Sequence, residues 1–231
     1  MSPIHIVSQI DIKPSPRVML VQSMFDLPQS LTSSERWDVD LVLPEQWNIG
    51  VIVGPSGCGK TTIAKTLFSD YYYTPPDWPD DCSIIDAFPD DVSIRDIVHL
   101  LSSVGFSSPP AWLRPFRVLS VGEQFRATVA RAIAERTMIV MDEFTSTVDR
   151  TVAQIGSAAV AHVIRKRQQQ FVAVTCHYDV LSWLEPDWVY EPATNTLTVG
   201  RRLQRPRIEF CVERTSCQAW EIFRKHHYLN A

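Results

Sequence analysis

Hydrophobic residues in this chain follow two different periods, and the changes of period mark alternating strands and helices. Continuous apolar runs, typical of buried parallel strands, occupy three segments: 49–53, 138–141 and 171–175. Apolar residues at helical spacing occupy four further segments: 61–68, 94–104, 120–135 and 152–167. Strands that alternate with helices in this way predict an α/β fold built around one sheet.

The N-terminal part has a different pattern, in which short β-rich runs are separated by proline, serine and asparagine. These runs cover residues 4–12, 17–22, 39–43 and 49–53. We expect them to form a β-rich lead-in that ends in the strand 49–53. Farther along, the stretch 71–82 is rich in proline and aromatic residues and predicts a loop.

The length and composition fit a globular protein with one good-sized domain, or with one domain and a short appendage. The 231 residues are 45% apolar and 21% charged, and no apolar run approaches the roughly 18 residues needed to cross a bilayer. The N-terminus has no signal-peptide pattern, and the five scattered cysteines fit reduced thiols better than a disulfide frame or a zinc site. We expect a cytoplasmic protein with a main domain at 1–200 and an appendage at 201–231.

Charge is unevenly distributed along the chain. The net charge of −4 does not favour nucleic-acid binding by the chain as a whole. Residues 74–96 carry seven aspartates against one arginine, whereas residues 197–231 carry seven lysines and arginines against three glutamates. Solvated surface explains both segments, and the basic link at 201–207 leaves nucleic-acid contact open as an alternative.

A phosphate-binding motif follows the first buried strand and opens the first helix. Its residues fit the pattern G-x-x-x-x-G-K-[ST] and continue into the helix: Gly54, Pro55, Ser56, Gly57, Cys58, Gly59, Lys60, Thr61 and Thr62. The glycines let successive N–H groups face one anion, and the helix N-terminus adds partial positive charge. Lys60 would neutralise the β- and γ-phosphates, and the Thr61 hydroxyl would ligate Mg²⁺. The motif predicts that the chain binds a nucleoside triphosphate.

Four further motifs follow the phosphate loop. They are Leu-Ser-Val-Gly-Glu-Gln at 119–124, Thr-Met-Ile-Val-Met-Asp-Glu at 137–143, Ser-Thr-Val-Asp at 146–149, and His177 after a buried run. In this order they resemble the signature, Walker B, D-loop and switch-histidine motifs of ABC-type ATPases, and the resemblance covers roughly residues 17–200. It implies the P-loop NTPase fold of that family, with a mixed β-sheet core and a helical subdomain that is shortened here.

The resemblance implies roles for the residues around one nucleotide. Asp142 ends a buried strand and would hold Mg²⁺ together with Thr61. Glu143 would polarise the attacking water, and His177 would hydrogen-bond to the γ-phosphate and orient that water. The cofactors implied are ATP and Mg²⁺, and the activity implied is hydrolysis of ATP to ADP and phosphate.

The signature motif implies a dimer, because in this family it covers the nucleotide of the other subunit. Ser120, Gly122 and Glu123 lie at a predicted helix N-terminus and would contact a γ-phosphate across the interface. Asp149, in the D-loop, would cross the same interface. We therefore expect a head-to-tail homodimer that closes on ATP and opens after hydrolysis.

Three positions depart from the family pattern. Val121 stands where transporter subunits usually have glycine. The glutamine of the Q-loop has no clear equivalent, and Asp86 is the nearest candidate by order, with a possible role at Mg²⁺ or water. Phe25 lies at a suitable distance before the phosphate loop to stack on adenine, whereas Trp37 and Trp47 look like packing residues.

The spacing of the motifs bears on the biological output. Lys60 and Ser120 are only 60 residues apart, which shortens the helical region that docks on transmembrane partners in transporters. We therefore favour a non-transport role over one that needs a membrane partner. Three alternatives stay open: the ATP-binding subunit of a transporter, a nucleic-acid clamp of the genome-maintenance kind, and a module that binds ATP without turnover.

The appendage has a pattern of its own. After the basic link, residues 208–214 alternate like a strand and residues 217–229 read as an amphipathic helix. This junction resembles that of ABC-type ATPases fused to a predicted GNAT-type acetyltransferase. The glycine-rich acetyl-CoA loop is absent, so we expect no acetyltransferase activity, and the segment would be at most the start of such a domain.

Overall fold

A computed structural model describes residues 4–28 and 32–200, and these residues form two sheets, seven α-helices and two short 3₁₀-helices. The strands are β1 (Ile4–Asp11), β2 (Thr32–Val39), β3 (Ile49–Val53), β4 (Met138–Met141), β5 (Gln170–Thr175), β6 (Trp188–Glu191) and β7 (Thr196–Val199). The helices are α1 (Pro16–Met24), α2 (Lys60–Leu67), α3 (Ile94–Ser103), α4 (Pro109–Trp112), α5 (Val121–Glu135), α6 (Arg150–Arg167) and α7 (Val180–Leu184).

The main sheet has five strands in the order β4-β5-β3-β6-β7. The first four are parallel, and β7 pairs antiparallel with β6. The parallel strands β3, β4 and β5 therefore end at one edge of the sheet, where ligands bind in open α/β sheets. This confirms the prediction of an α/β fold and of the three buried strands at 49–53, 138–141 and 171–175.

Both faces of this sheet are covered, which explains the continuous apolar runs. Every residue of β3 and β4 is buried. Val51 points into a cluster formed with helices α3, α5 and α6, whereas its neighbour Ile52 packs with α2 and with the β1–β2 sheet. The phosphate loop thus grows out of a strand that is held from both sides.

One glycine of β3 is required by this packing. A Cβ atom on Gly50 would lie 2.0 Å from the ring of Trp188 in the neighbouring strand β6. Trp47 packs edge-on against the same indole, with ring centroids 5.4 Å apart. Gly50 lets β6 bring a large aromatic side chain directly under the strand that leads to the phosphate loop.

The N-terminal lead-in differs from its prediction in two places. Residues 17–22 are helical and not extended, because Ser15 caps the N-terminus of α1 and Pro16 occupies its first turn. Residues 40–43 are not a strand; the strand covers Thr32–Val39 instead. Its polar sequence gives no strand signal, and its extended form comes from pairing with β1 along eight residue pairs.

The helices predicted after the phosphate loop are confirmed as α3, α5 and α6, and residues 72–82 are largely loop. Between α2 and α5 the chain contains α3 and the four-residue α4. Among the helices that the structure describes, none is long and apolar enough to cross a membrane. The strand and helix predicted within 201–231, and their likeness to an acetyltransferase start, lie outside the described residues.

Candidate nucleotide-binding site

The phosphate loop connects the buried end of β3 to the N-terminus of α2. Gly57 and Gly59 have φ angles of 82° and 89°, in the left-handed region that favours glycine. These angles turn the chain sharply between a strand and a helix, and α2 begins at Lys60. The free N–H groups of the first helical turn and the positive end of the helix dipole therefore face the loop.

Lys60 folds back over this loop. The residue is only 8% exposed, and Nζ donates a hydrogen bond of 2.8 Å to the Pro55 carbonyl oxygen. Burying an ammonium group is costly unless its protons have acceptors. The lysine is thus held beside the backbone cradle, where a phosphate could replace the carbonyl as its acceptor.

The other loop residues divide between an open rim and a packed base. Pro55 and Ser56 are exposed. A Cβ atom on Gly54 would lie 2.8 Å from the sulfur of Cys58, so this thiol packs back against the start of the loop. Thr62 is half-buried within α2, and its carbonyl oxygen accepts a hydrogen bond from Thr66.

Asp142 lies at the end of β4, and its carboxylate is the centre of a hydrogen-bond network. Its Oδ2 accepts hydrogen bonds from the Thr61 hydroxyl at 2.8 Å and from the Tyr72 hydroxyl at 2.7 Å. Its Oδ1 accepts 2.9 Å from the Glu143 N–H. Burial raises the pKa of the Tyr72 phenol, and the hydrogen bond with Asp142 raises it further. The phenol therefore keeps its proton and donates it to the carboxylate in this hydrogen bond.

The donor set around Asp142 fits Mg²⁺. A threonine hydroxyl and a carboxylate are hard oxygen ligands, and both lie beside the glycine-rich loop 54–61. Mg²⁺ is commonly held by one or two protein oxygens together with substrate phosphates. The structure brings the predicted metal residues Thr61 and Asp142 into direct contact.

Glu143 follows Asp142 in a strained turn. Its φ angle is 51° and that of Thr145 is 66°, in a region that residues with a side chain rarely occupy. The exposed Glu143 carboxylate accepts a hydrogen bond of 2.5 Å from the Ser146 hydroxyl. The turn and the Ser146 hydroxyl together fix the direction in which this carboxylate points.

His177 comes directly after β5, the strand next to β3. It is half-buried, and its backbone N–H donates to the Thr175 hydroxyl at 3.2 Å. Two residues farther on, Asp179 receives two hydrogen bonds from the Arg150 guanidinium, at 2.9 and 2.5 Å. Because Arg150 follows Asp149, this ion pair ties the predicted D-loop to the loop that carries the histidine.

The predicted signature motif forms a complete capping box at the start of α5. The Glu123 carboxylate accepts from the Ser120 N–H at 2.9 Å, and the Ser120 oxygen accepts from the Glu123 N–H. The bond from the Ser120 N–H holds the pKa of the Glu123 carboxyl below its usual range. Ser120 and Val121 are exposed, so this fifteen-residue helix presents its N-terminus on the surface.

Gly122 and Asp149 lie close to that helix start. A Cβ atom on Gly122 would come 3.3 Å from Val152 of α6. Asp149 caps α6, since its Oδ1 accepts from the N–H groups of Thr151 and Val152 at 2.9 and 3.0 Å. The signature and D-loop residues are thus neighbours on one surface.

Two predicted positions gain no support from the geometry. The Phe25 ring is 68% exposed at the end of α1. Asp86 is exposed, and its carboxylate accepts from Ser83 at 2.7 Å. Among the hydrogen bonds of residues 4–28 and 32–200, none joins Asp86 to the phosphate loop or to Asp142.

Two aromatic residues stand where sequence reasoning did not expect functional groups. Trp37 of β2 packs on the phosphate loop, because a Cβ atom on Gly59 would lie 2.3 Å from its indole. Tyr72 donates to Asp142. No sequence signal could have identified Tyr72, since its place depends on a chain segment lying against β4; Trp37 was visible only as an aromatic residue before the loop.

Solved ABC cassettes share this architecture. A dimeric structure of MJ0796, described as a bacterial ABC transporter cassette, matches with a TM-score of 0.53 at 14% identity, over 68% of this chain and 87% of that chain. A dimeric post-hydrolysis structure of the MJ0796 cassette with ADP and Pi matches with a TM-score of 0.53 at 12% identity, over 85% and 95% of the two chains. MJ1267, an ABC transporter cassette in its ADP conformation, matches with a TM-score of 0.50 at 15% identity, over 81% of this chain and 87% of that chain.

These comparisons establish the fold. No protein-family model and no curated protein matches the sequence. The likeness to the cassettes therefore lies in the backbone, and it confirms the predicted P-loop NTPase fold of the ABC ATPase type.

Proposed function

We propose that this chain is an ABC-type ATPase that binds Mg-ATP at the phosphate loop and hydrolyses it to ADP and phosphate. One observation carries the proposal: the Thr61 hydroxyl, in the first turn of α2, donates to the Asp142 carboxylate at the end of β4. This contact joins the phosphate cradle to an acidic strand end, which is the pairing that a phosphate-bound cation requires.

The residues on this edge of the sheet divide the chemistry among them. Lys60 would exchange the Pro55 carbonyl for phosphate oxygens. Bound Mg²⁺ would neutralise charge on the β- and γ-phosphates, held by Thr61 and Asp142. Glu143 would leave its hydrogen bond with Ser146 and accept a proton from the attacking water.

His177 completes this arrangement from β5. The strand ends beside β3, so the residues that follow it lie next to the phosphate loop. A histidine there can donate a hydrogen bond to a γ-phosphate and hold the water in line. This position and its place in the motif order support His177 as a residue of the site.

Trp37 is better placed than Phe25 to meet the adenine base. Its indole lies against Gly59, at the start of the helix that would hold the phosphates. Aromatic stacking on a base is worth about 1–3 kcal/mol. The exposed Phe25 ring has no comparable relation to the loop.

The signature residues support a site shared by two copies. Ser120 and Gly122 lie at an exposed helix N-terminus, a geometry suited to a phosphate approaching from outside the chain. Asp149 lies beside them through its contact with Val152. In a head-to-tail homodimer each signature motif would cover the nucleotide of the other copy, and the dimer would close with ATP.

We place the output outside membrane transport. In the family, the region between phosphate loop and signature meets the transmembrane partner, and here it contains α3 and the four-residue α4. Co-purification with a membrane protein would contradict this part of the proposal. An ATPase that turns over without any partner would agree with it.

The experiment that tests the reaction compares two glutamates with similar backbone φ angles. Glu143 and Glu185 are both exposed and have φ angles of 51° and 46°. Glu143→Gln should bind ATP and lose most phosphate release, because the group that accepts the proton is removed. Glu185→Gln should bind and hydrolyse as the natural chain does. Normal steady-state hydrolysis by Glu143→Gln would remove this residue from the mechanism.

A further inference from the structure

Tyr72 contacts the centre of the proposed metal site, although no motif includes it. Its hydroxyl donates 2.7 Å to Oδ2 of Asp142, the same oxygen that accepts from Thr61. Hydrogen bonds to an ionised carboxylate are about twice as strong as neutral ones. The phenol therefore fixes the direction of the carboxylate that would face the cation.

The backbone holds Tyr72 firmly in this place. Tyr72 forms a parallel bridge with Val140 of β4, two residues before Asp142. The N–H of Tyr73 donates 2.8 Å to the Val140 carbonyl oxygen. Since β5 pairs with the other side of β4, the segment at 72–73 lies along the outer edge of β4 and extends the sheet there by one short bridge.

The ring of Tyr72 is also held from above. The Lys65 ammonium group of α2 lies 5.0 Å from the ring centroid, within the range of a cation–π interaction. The phenol is thus positioned by both α2 and β4, the two elements that carry Thr61 and Asp142. A hydroxyl set in this way loses little freedom when the carboxylate binds a cation.

Tyr72 also lines the space between the sheet and the signature helix. A cavity of about 630 Å³ lies there, and its walls include Tyr72, Thr74, Glu143, Gln124 and Phe125. The next residue, Tyr73, donates to Glu135 at the far end of α5. Residues 72–73 therefore connect the Asp142 carboxylate to α5, the helix that carries the signature motif.

We propose that Tyr72 is a positioning residue for the metal site. The inference rests on the proposed function, since it assumes that Asp142 helps to hold Mg-ATP. Tyr72 acts through Asp142: its hydroxyl keeps the carboxylate in the orientation that binds Mg²⁺. Asp86, the candidate by order along the sequence, has its hydrogen bond with Ser83 instead.

The test compares two hydroxyl deletions in neighbouring residues of the full chain. Tyr72→Phe removes the donor to Asp142 and keeps the ring under Lys65, whereas Tyr73→Phe removes a donor to Glu135. Binding of the fluorescent analogue mant-ATP is measured in EDTA and along a Mg²⁺ titration. Partners of metal ligands typically contribute 10–100-fold to metal affinity.

We expect Tyr72→Phe to raise the Mg²⁺ concentration at half-maximal effect by roughly 10-fold or more, with unchanged binding in EDTA. Tyr73→Phe should leave the Mg²⁺ titration unchanged. In an Asp142→Asn background, Tyr72→Phe should cause no further shift, because the two residues act as one unit. A shift of the same size in that background would show that Tyr72 does not act through Asp142.

The remaining outcomes separate the inference from the proposed function. If the natural chain binds mant-ATP with Mg²⁺ and Tyr72→Phe gives the same titration, the inference is wrong and the proposed function stands. If Tyr72→Phe weakens binding equally in EDTA and in Mg²⁺, its role is structural and the inference is also wrong. If the natural chain does not bind mant-ATP under either condition, the proposed function fails and the inference fails with it.

Discussion

Two glycines of the phosphate loop provide a matched test of its geometry. Gly57 and Gly59 have nearly the same φ angle, 82° and 89°. They differ in what an added methyl group would meet: nothing within 4 Å at Gly57, and the Trp37 indole at 2.3 Å at Gly59. Gly57→Ala therefore tests the backbone angle alone, whereas Gly59→Ala tests the angle together with the tryptophan contact.

The expected magnitudes follow from these two terms. A left-handed backbone costs a residue with a Cβ atom about 1–2 kcal/mol, so Gly57→Ala should lower the free energy of unfolding by that amount. Overpacking adds about 1–3 kcal/mol, because the large indole ring cannot yield as easily as the end of a flexible chain. Gly59→Ala should therefore lose about 2–5 kcal/mol in total, the sum of these ranges.

Urea unfolding of both variants measures the difference directly. The same pair is then made in a Trp37→Ala background, where the steric term is gone. There we expect Gly59→Ala and Gly57→Ala to cost the same, within the scatter of about 0.5 kcal/mol typical of independent sites. Equal costs in the natural background, or a difference that persists without Trp37, would refute the packing of Trp37 on the loop.

Three further predictions concern binding and pH. Lys60→Ala should abolish tight ATP binding in equilibrium dialysis, because the phosphates lose their buried cation, while the exposed Lys166→Ala should bind normally. Trp37→Ala should lower the affinity for ATP by roughly 10-fold and leave the affinity for inorganic triphosphate unchanged. Phe25→Ala should change neither affinity. An equal loss of affinity for both ligands in Trp37→Ala would contradict stacking on the base. Glu123→Gln should lower the melting temperature at neutral pH. The folded-state pKa of Glu123 is depressed, so its contribution is lost as pH falls through that value, and the gap from the natural chain should close in acid.

The sequence predicted the elements whose signals are local. The buried strands β3, β4 and β5 are read from continuous apolar runs, because both faces of a parallel strand are covered. The helix start at Ser120 is also local, since the Ser120 side chain caps its own helix. These features are enough to predict the α/β fold and the order of the motifs.

Most features that the sequence did not predict depend on distant partners. The strand β2 has a polar sequence and is extended because β1 lies beside it. The segment 17–22 is an exception with a local cause, because its apolar residues predict a strand although Ser15 and Pro16 favour a helix start. Trp37 and Tyr72 reach the loop and Asp142 only through tertiary structure, whereas distance before the loop indicates Phe25 and order along the chain indicates Asp86.

The solution mass of Glu143→Gln with and without Mg-ATP tests the central claim most directly. Light scattering should show a monomer without nucleotide and a dimer with Mg-ATP, because the blocked proton transfer traps two nucleotides between two copies. Adding Ser120→Arg should keep ATP binding and prevent the dimer, since the new side chain stands at the exposed helix N-terminus. A variant that binds Mg-ATP and stays monomeric would contradict the shared site, and a dimer that survives Ser120→Arg would exclude the signature helix from it.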